Sequence, residues 1–407
     1  MDEDVDLAAV ILIMMTAVAI TANLQPSPHH PYRPPLLYNS SINWSLDSWD
    51  DERVRRNLRF TKQEIRQILP LLQLQNVKFR YLIKPSPELS ISLLLAKLST
   101  FRPYHQMAYD FGRSPAYISI VINDLLEYLE NRYSEGLEWN PMITYERIQL
   151  YAKNLRHHCP GESIWGFIDG TFKRTCRPQD RQQFHYSGYK KSHGFKFQAI
   201  TTPDGLISHI SGPWPARIND LTMVRQSGLN RRLKRIFKDR SIYYLFGDQA
   251  YKQQHYILAP YPGLPQYLDP QARKFNDEMS RARIAVENTF GLTQNLFTST
   301  AYKYGLKHGL MPISNYFLIA CLFTNCFTCI RGNCVSKRFI FKPPTVEEYL
   351  TALRAANNSN RMGDMTGDIV QSRAGHIAEN MAGDMAGDMA RNVVGNVEEN
   401  IDYILNI

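Results

Sequence analysis

The chain has 407 residues and a mass of 47.1 kDa, a size that corresponds to about two or three domains. Hydrophobic residues make up 44% of it and charged residues 21%, which excludes a wholly disordered chain. Six cysteines are too few for a disulfide scaffold and fit a reducing compartment. The net charge of +9 and the pI of about 9.1 are compatible with a polyanionic partner.

The charge is unevenly distributed along the chain. Residues 343–407 contain four arginines, no lysine and ten acidic residues, so this part has a net charge of −6 and the rest +15. The body is therefore markedly basic. From residue 357 the composition changes to Met-Gly-Asp and Met-Ala-Gly-Asp repeats with few large apolar side chains, which predicts a disordered tail over 357–407.

Residues 1–59 are predicted to contain an apolar helix followed by a Pro-rich connector. The apolar run Leu7–Ala22 is shorter than the roughly 20 residues that a membrane-spanning helix needs, and acidic residues precede it. A buried helix is the favoured interpretation, and a signal peptide or a membrane anchor are the alternatives. Residues 24–58, rich in Pro, Tyr, His and Ser, are predicted to be extended.

Residues 60–135 are predicted to be helical. One apolar helix begins near residue 90, a second covers Tyr104–Phe111, Gly112 ends it, and a third starts at about Pro115. Two helices joined by such a tight turn are typical of a helix-turn-helix unit. An ordinary three-helix bundle is the alternative, since the third helix is nearly free of Lys and Arg.

Four segments after Ser163 are predicted strands, of which the first and last are short apolar runs and the second alternates between apolar and polar residues. They are Ile164–Ile168, Phe195–Ile200, Leu206–Ile210 and Ile242–Phe246. A Pro-Asp-Gly turn joins the middle two into a hairpin. A helix is predicted over Ser280–Asn295, so this part of the chain has the pattern of a mixed α/β domain.

Two further helices are predicted, over residues 312–330 and over Val346–Ala356. The first is strongly apolar and carries Cys321, Cys326 and Cys329, with Cys334 beyond it. Helical spacing scatters these thiols over different faces, so packing in the core is favoured over a metal site.

Three acidic residues are expected to converge at one edge of the predicted sheet. Asp169 and Asp248 follow strands, and Glu287 lies in the helix that comes after them. Convergent carboxylates repel one another unless one is protonated or a cation neutralises them. Their oxygens suit Mg²⁺ or Mn²⁺, and two such ions about 3.5–4 Å apart can act on a phosphodiester displacement. The alternative is that each acid is a surface charge or a helix cap.

Several short motifs also occur in a set order between residues 161 and 330. They are Ile168–Thr171, Tyr186–Gln198, Pro203–Leu206, Gly212–Asp220, Gly247–Tyr251, Phe275-Asn276, Arg283–Gly291 and Ala320–Asn325. In this order they resemble the endonuclease domain of PIF/Harbinger transposases, a DDE family. The upstream helices, residues 60–132, resemble the helix-turn-helix region that precedes the nuclease in this family.

The resemblance implies a ribonuclease-H-like mixed α/β sheet with flanking helices over residues 161–335. It also implies a metal-dependent endonuclease that hydrolyses DNA phosphodiester bonds. Asp169, Asp248 and Glu287 would be the catalytic triad, and Asp220 would join them as a ligand of two Mg²⁺ or Mn²⁺ ions. The 38 residues between Asp248 and Glu287 are close to the spacing usual in the superfamily.

DNA is the implied partner, and basic side chains near the acids would contact its phosphates. The residues predicted to do so are Lys190, Lys191, Lys196, Arg281 and Arg283, and further basic residues that flank the acids are Lys173, Arg174, Arg177 and Arg181. The alternative is a solvated basic face, in which Arg283 simply pairs with Glu287 one helical turn away. The resemblance also implies a Myb-like accessory protein and a nuclear location, with the cytoplasm as the alternative. Arg231–Arg235 is the nearest candidate for a nuclear-import segment.

Two segments depart from the family pattern. The family usually has Gly-Ser-x-His-Asp where this chain has Ala216–Asp220, and Gly-x-Leu-Lys-x-Arg-Phe where it has Gly291–Phe297. A basic pair is thus missing after Glu287. The alternative function is therefore a domesticated DNA-binding or scaffold protein without turnover. A secreted or membrane-tethered hydrolase that uses the apolar N-terminus is a third interpretation.

Overall fold

The computed structural model describes residues 44–160, 163–179, 181–238, 240, 242–301 and 312–364. The apolar run Leu7–Ala22 and the repeats of the tail lie outside these residues. The described chain forms two compact units. The smaller contains Trp44 and Pro103–Ser119, and the larger contains Ser45–Arg102 and the described residues from Ile120 onward.

Within the described residues, six α-helices precede the sheet. They are α1 (Asp51–Leu58), α2 (Lys62–Leu72), α3 (Pro87–Ser99), α4 (Tyr104–Phe111), α5 (Pro115–Glu138) and α6 (Tyr145–Leu155). The extended connector predicted up to residue 58 is wrong over its last part. Asp50 caps α1 by accepting from the Arg53 amide, and Val54 and Leu58, one turn apart, are buried.

The smaller unit contains α4 and the start of α5. Gly112 ends α4 at φ 61°, a left-handed conformation that glycine adopts without strain. The Ser114 hydroxyl accepts from the Tyr117 amide at the start of α5. The Trp44 ring packs 5.1 Å from the Phe111 ring, centre to centre. The predicted bounds of α4 and the predicted start of α5 are confirmed, but α5 continues to Glu138, beyond the predicted helical region.

The larger unit is organised around a six-stranded mixed sheet. Its strands are β1 (Ile164–Arg174), β2 (Tyr186–Ser187), β3 (Ser192–Thr201), β4 (Ile207–Pro215), β5 (Tyr244–Phe246) and β6 (Ile257–Leu258). Strand β3 lies between β1 and β4 and is antiparallel to both, while β2 pairs with its first residues. On the other side of β1, β5 runs parallel to it and β6 parallel to β5. This sheet confirms the predicted mixed α/β class and is consistent with a ribonuclease-H-like nuclease domain.

Strand β1 is longer than the sequence predicts. It was expected to end at Ile168, yet it continues to Arg174 because β3 pairs with it from Phe167 to Arg174. Its parallel partner β5 reaches only Phe167. Asp169 therefore lies inside β1 but just beyond the end of the parallel pair.

Seven further α-helices of the described part of the chain accompany the sheet or follow it. They are α7 (Gln182–His185), α8 (Asp220–Gln226), α9 (Leu229–Phe237), α10 (Pro270–Leu296), α11 (Ile313–Arg331), α12 (Cys334–Arg338) and α13 (Val346–Asp364). Helix α10 starts ten residues earlier than predicted. Asp269 caps it and Pro270 occupies its first position. Helix α13 continues to Asp364, so residues 357–364 are helical instead of disordered.

Helix α11 is part of the core. It is long and apolar enough to cross a membrane, but most of it is buried within the protein, as in a core helix. Cys321 and Cys326 are buried in it, as predicted for core packing. The Asn325 side chain accepts from the Ile207 amide and donates to the Ile207 carbonyl, both at 2.9 Å. It also donates to the Tyr349 hydroxyl at 2.8 Å, so one side chain joins α11 to β4 and α13.

Asn325→Ala is expected to lower the free energy of unfolding by about 3 kcal/mol, because it leaves buried polar groups of Ile207 without partners. Chemical denaturation measures the change. Asn57→Ala removes one bond within α1 and serves as the control, with an expected loss below about 1 kcal/mol. Equal losses for the two variants would contradict this account of α11.

Candidate active site

The four predicted acids come from four different elements. Asp169 lies in β1, Asp220 is the first residue of α8, Asp248 directly follows β5, and Glu287 lies in the middle of α10. The negative charges of Asp248 and Glu287 both act on Asp169, and that of Asp248 acts on Asp220. The fold thus gathers these acids beyond the end of the β1–β5 pair.

Arg283 lies between two of the acids. One guanidinium nitrogen is 2.8 Å from the Glu287 carboxylate, one turn along α10, and the other is 3.5 Å from the Asp169 carboxylate. The alternative expectation, that Arg283 pairs with Glu287, is confirmed. The same guanidinium also reaches β1, which the spacing along the helix did not indicate.

Gly170 allows the Asp220 carboxylate to pack closely against β1. The Gly170 amide donates to the Asp169 carboxylate at 2.9 Å. A Cβ atom at Gly170 would lie only 2.7 Å from the Asp220 carboxylate oxygen. The Lys196 ammonium is 3.9 Å from that same oxygen and donates to the Ile218 carbonyl. Only a residue without a side chain therefore fits at position 170 beside the Asp220 carboxylate.

The site holds more negative charge than its cations neutralise. Burial raises the pKa of Asp169 to about 6, and the charges of Asp248 and Glu287 add to the effect, while Arg283 opposes it. Burial also raises the pKa of Asp220, with Asp248 adding to the effect and Lys196 opposing it. Such a site favours any additional cation that can reach it.

Two uncharged residues, Gln198 and Tyr251, support the acids. The sequence analysis predicted no role for either of them. The Gln198 side chain donates to the Tyr251 hydroxyl at 3.1 Å and to the Asp220 carbonyl at 3.4 Å. Burial and the neighbouring acids raise the pKa of Tyr251 far above its usual value, so its phenol stays neutral. Both residues lie inside the motifs that carry the family resemblance, and this position is the feature of the sequence that could have identified them as site residues.

Asp248 is also a helix cap. Its carboxylate accepts from the Ala250 amide at 3.0 Å, at the start of a short 3₁₀ turn over Gln249–Tyr251. The sequence analysis gave helix capping as one alternative to metal binding for each of these acids. One oxygen can accept this bond while the other remains available, so the two roles are compatible.

The donor chemistry and the spacing of the acids give different answers about a metal. Carboxylate oxygens are the ligands that Mg²⁺ and Mn²⁺ prefer, and the raised pKa of Asp169 reflects its burial together with the charges of Asp248 and Glu287. Within the described ranges, however, no three Asp, Glu, His or Cys side chains are close enough to hold a metal ion together. The acids therefore fit a divalent cation in kind, and Arg283 occupies the space between two of them.

The five predicted DNA contacts fall into two groups. Lys190, Lys191 and Arg281 are exposed, whereas Lys196 and Arg283 face the acids. Lys173, one of the other flanking basic residues, is only 3% exposed. Its ammonium lies 4.3 Å from the centre of the Phe317 ring on α11. Lys173 is therefore a core residue and does not contact phosphates.

Residues 168–325 match the family model of the DDE superfamily endonucleases. The match begins one residue before Asp169 and includes Asp220, Asp248 and Glu287. It supports a DDE superfamily endonuclease domain in this part of the chain. No curated protein and no solved structure matches the chain.

Asp169→Asn is expected to stabilise the metal-free protein at neutral pH. The raised pKa means that ionised Asp169 costs stability, fully above about pH 6 and not at all below about pH 4. The variant should gain about 3 kcal/mol at pH 7.5 and lose this gain progressively as the pH falls from 6 to 4. Denaturation with a chelator, in comparison with the exposed Asp277→Asn, measures the effect. A gain that does not change with pH would contradict it.

Gly170→Ala tests the close approach of Asp220. The new methyl group would collide with the Asp220 carboxylate, so the free energy of unfolding should fall by about 1–3 kcal/mol. Gly188→Ala is the matched control, because a Cβ atom there meets nothing within 4 Å. If the two variants have the same stability, the Asp220 carboxylate does not require a glycine at position 170.

Proposed function

We propose that this protein is a transposase-derived, metal-dependent endonuclease that cuts phosphodiester bonds in DNA. The observation that carries the proposal is the gathering of Asp169, Asp220, Asp248 and Glu287 within a segment that matches DDE superfamily endonucleases. The order of motifs between residues 161 and 330 supports the PIF/Harbinger group in particular. Function is argued from the site, since the fold alone supports many activities.

The acids would hold two divalent cations in this proposal. Asp169, Asp220, Asp248 and Glu287 would be the residues that hold them. The bound ions would stabilise the charge that develops on the phosphate oxygens. Glu287 is the most exposed of the three acids whose side chains form ion pairs, at 51% against 17% for Asp169 and 23% for Asp220. It is therefore best placed to orient an attacking water molecule, or a freed 3′-hydroxyl group in strand transfer.

The exposed basic residues Lys190, Lys191 and Arg281 would bind the DNA backbone. Phosphate contacts of this kind supply most non-specific affinity and weaken as salt rises. A Myb-like accessory protein and a nuclear location belong to the same proposal. The candidate nuclear-import segment lies in α9, where Leu233 is buried while Arg231 and Lys234 are exposed, as in an ordinary exposed helix face.

A second candidate function is DNA binding without turnover. It is favoured by the contact of Arg283 with both Asp169 and Glu287, and by the absence of a three-ligand metal group within the described residues. The missing basic pair in Gly291–Phe297 supports it as well. The two functions differ in their dependence on divalent cations and on the acids.

Nicking of supercoiled plasmid in Mg²⁺ or Mn²⁺ tests the proposed activity. Asp169→Asn, Asp248→Asn and Glu287→Gln should each reduce the rate at least about a hundredfold, because each removes a ligand or the group that orients the nucleophile. Asp277→Asn, on the exposed face of α10, is the control and should cut like the parent.

The same preparations should also be tested for DNA binding with and without a chelator. Cutting that survives all three substitutions would show that these acids are not the catalytic groups. DNA binding that is independent of cations and acids, together with a lack of cutting, would establish the second function instead.

A further inference from the structure

Arg283 makes the most closely placed ion-pair contacts at the acidic site. Its side chain is 22% exposed and arises from α10, and its two terminal nitrogens lie 2.8 Å from Glu287 and 3.5 Å from Asp169. The guanidinium thus joins α10 to β1 through one carboxylate on each. No other described side chain forms ion pairs with two of the four acids.

The position of this guanidinium is the position that a bridging cation would need. A divalent ion bound to carboxylates lies about 2.0–2.6 Å from their oxygens, closer than the guanidinium nitrogens do. The guanidinium and the ion cannot both lie between the same pair of oxygens. In this structure the guanidinium lies between Asp169 and Glu287. No three side chains of the described residues are close enough together to hold a metal ion.

We propose that Arg283 is the internal counter-ion of the acidic site, and that a divalent cation binds by displacing its guanidinium from Asp169 and Glu287. The proposal rests on the proposed function and adds a competition between a side chain and the metal. When a ligand competes with an internal group, its apparent affinity is its intrinsic affinity multiplied by the fraction of sites that the group leaves free. Arg283 therefore weakens the binding of the first cation.

The structure also explains how the guanidinium can leave. The Glu287 side chain is 51% exposed, and ion pairs with such exposed partners are weak because water solvates both charges. The long flexible stem of an arginine can carry its charged end from the carboxylates to solvent. Asp169, which is 17% exposed, keeps its unfavourable charge until a stronger cation replaces the guanidinium.

Calorimetric titration of the full chain with Mg²⁺ and with Mn²⁺, in the absence of DNA, tests the proposal. Arg283→Gln removes the competing charge and is expected to bind the cation roughly tenfold more tightly than the parent. Arg273→Gln is the matched control, since it makes the same change in charge at an exposed position of the same helix. Its affinity should stay within about twofold of the parent value.

Thermal unfolding provides a second measurement on the same variants. With a chelator, Arg283→Gln should melt below the parent because two carboxylates lose their counter-ion, and excess Mg²⁺ should remove this difference. Arg283→Lys keeps the charge but lacks the two-pronged guanidinium, so an intermediate gain in metal affinity is expected. The lysine variant also provides the test if the glutamine variant does not fold.

Equal metal affinities for the parent, Arg283→Gln and Arg283→Lys would overturn the proposal and leave the nuclease function intact. Equal gains for Arg283→Gln and Arg273→Gln would also overturn it, because they would reflect only the lower net charge. If neither the parent nor the Arg283 variants bind a divalent cation, this proposal and the metal-dependent nuclease both fail.

Discussion

Strand β1 is bonded to β3 as far as Arg174 but to β5 only as far as Phe167, and the candidate site depends on this difference in length. The antiparallel pairing holds Asp169 rigidly in the sheet. The early end of β5 leaves room beside it for the chain that carries Asp248 and for α10 with Glu287. A longer β5 would fill this space, and a shorter β1 would leave Asp169 on a loop. Because β1 pairs with β3 over a longer stretch than with β5, charged groups are held in a rigid position at the rim of a buried sheet.

The charge balance of this rim explains most of its other features. Four carboxylates face two basic side chains, because Lys196 lies near Asp220 and Arg283 contacts both Asp169 and Glu287. Burial raises the pKa of Asp169, and the charges of Asp248 and Glu287 add to the effect, so ionised Asp169 costs stability in the folded protein. Strain of this kind is common at functional sites, where a ligand relieves it. Gly170, Gln198 and Tyr251 hold the acids in place without adding charge.

Local signals predicted a large part of the fold. Apolar runs and two-residue alternation identified β1, β3, β4, β5 and the hairpin, but not the two-residue strands β2 and β6. Gly112 marked the end of α4, and the buried cysteines of α11 were recognised as core residues. The early start of α10 could also have been predicted from the sequence, because Asp269-Pro270 is an ordinary helix start. The length of β1 was not predictable locally. Its last residues are polar or basic, and only pairing with β3 keeps them in the sheet.

The sequence by itself determined which acids could form a site, the class of ligand that suits carboxylates, and the periodicities that define helices and strands. Only the tertiary structure decided that Arg283 bridges two elements, that Lys173 is buried against Phe317, and that Asp220 packs against Gly170. Each of these contacts joins residues that are far apart in the chain. The spacing of residues along one helix or strand fixes their neighbours on that element, but it carries no information about which distant surface will cover them.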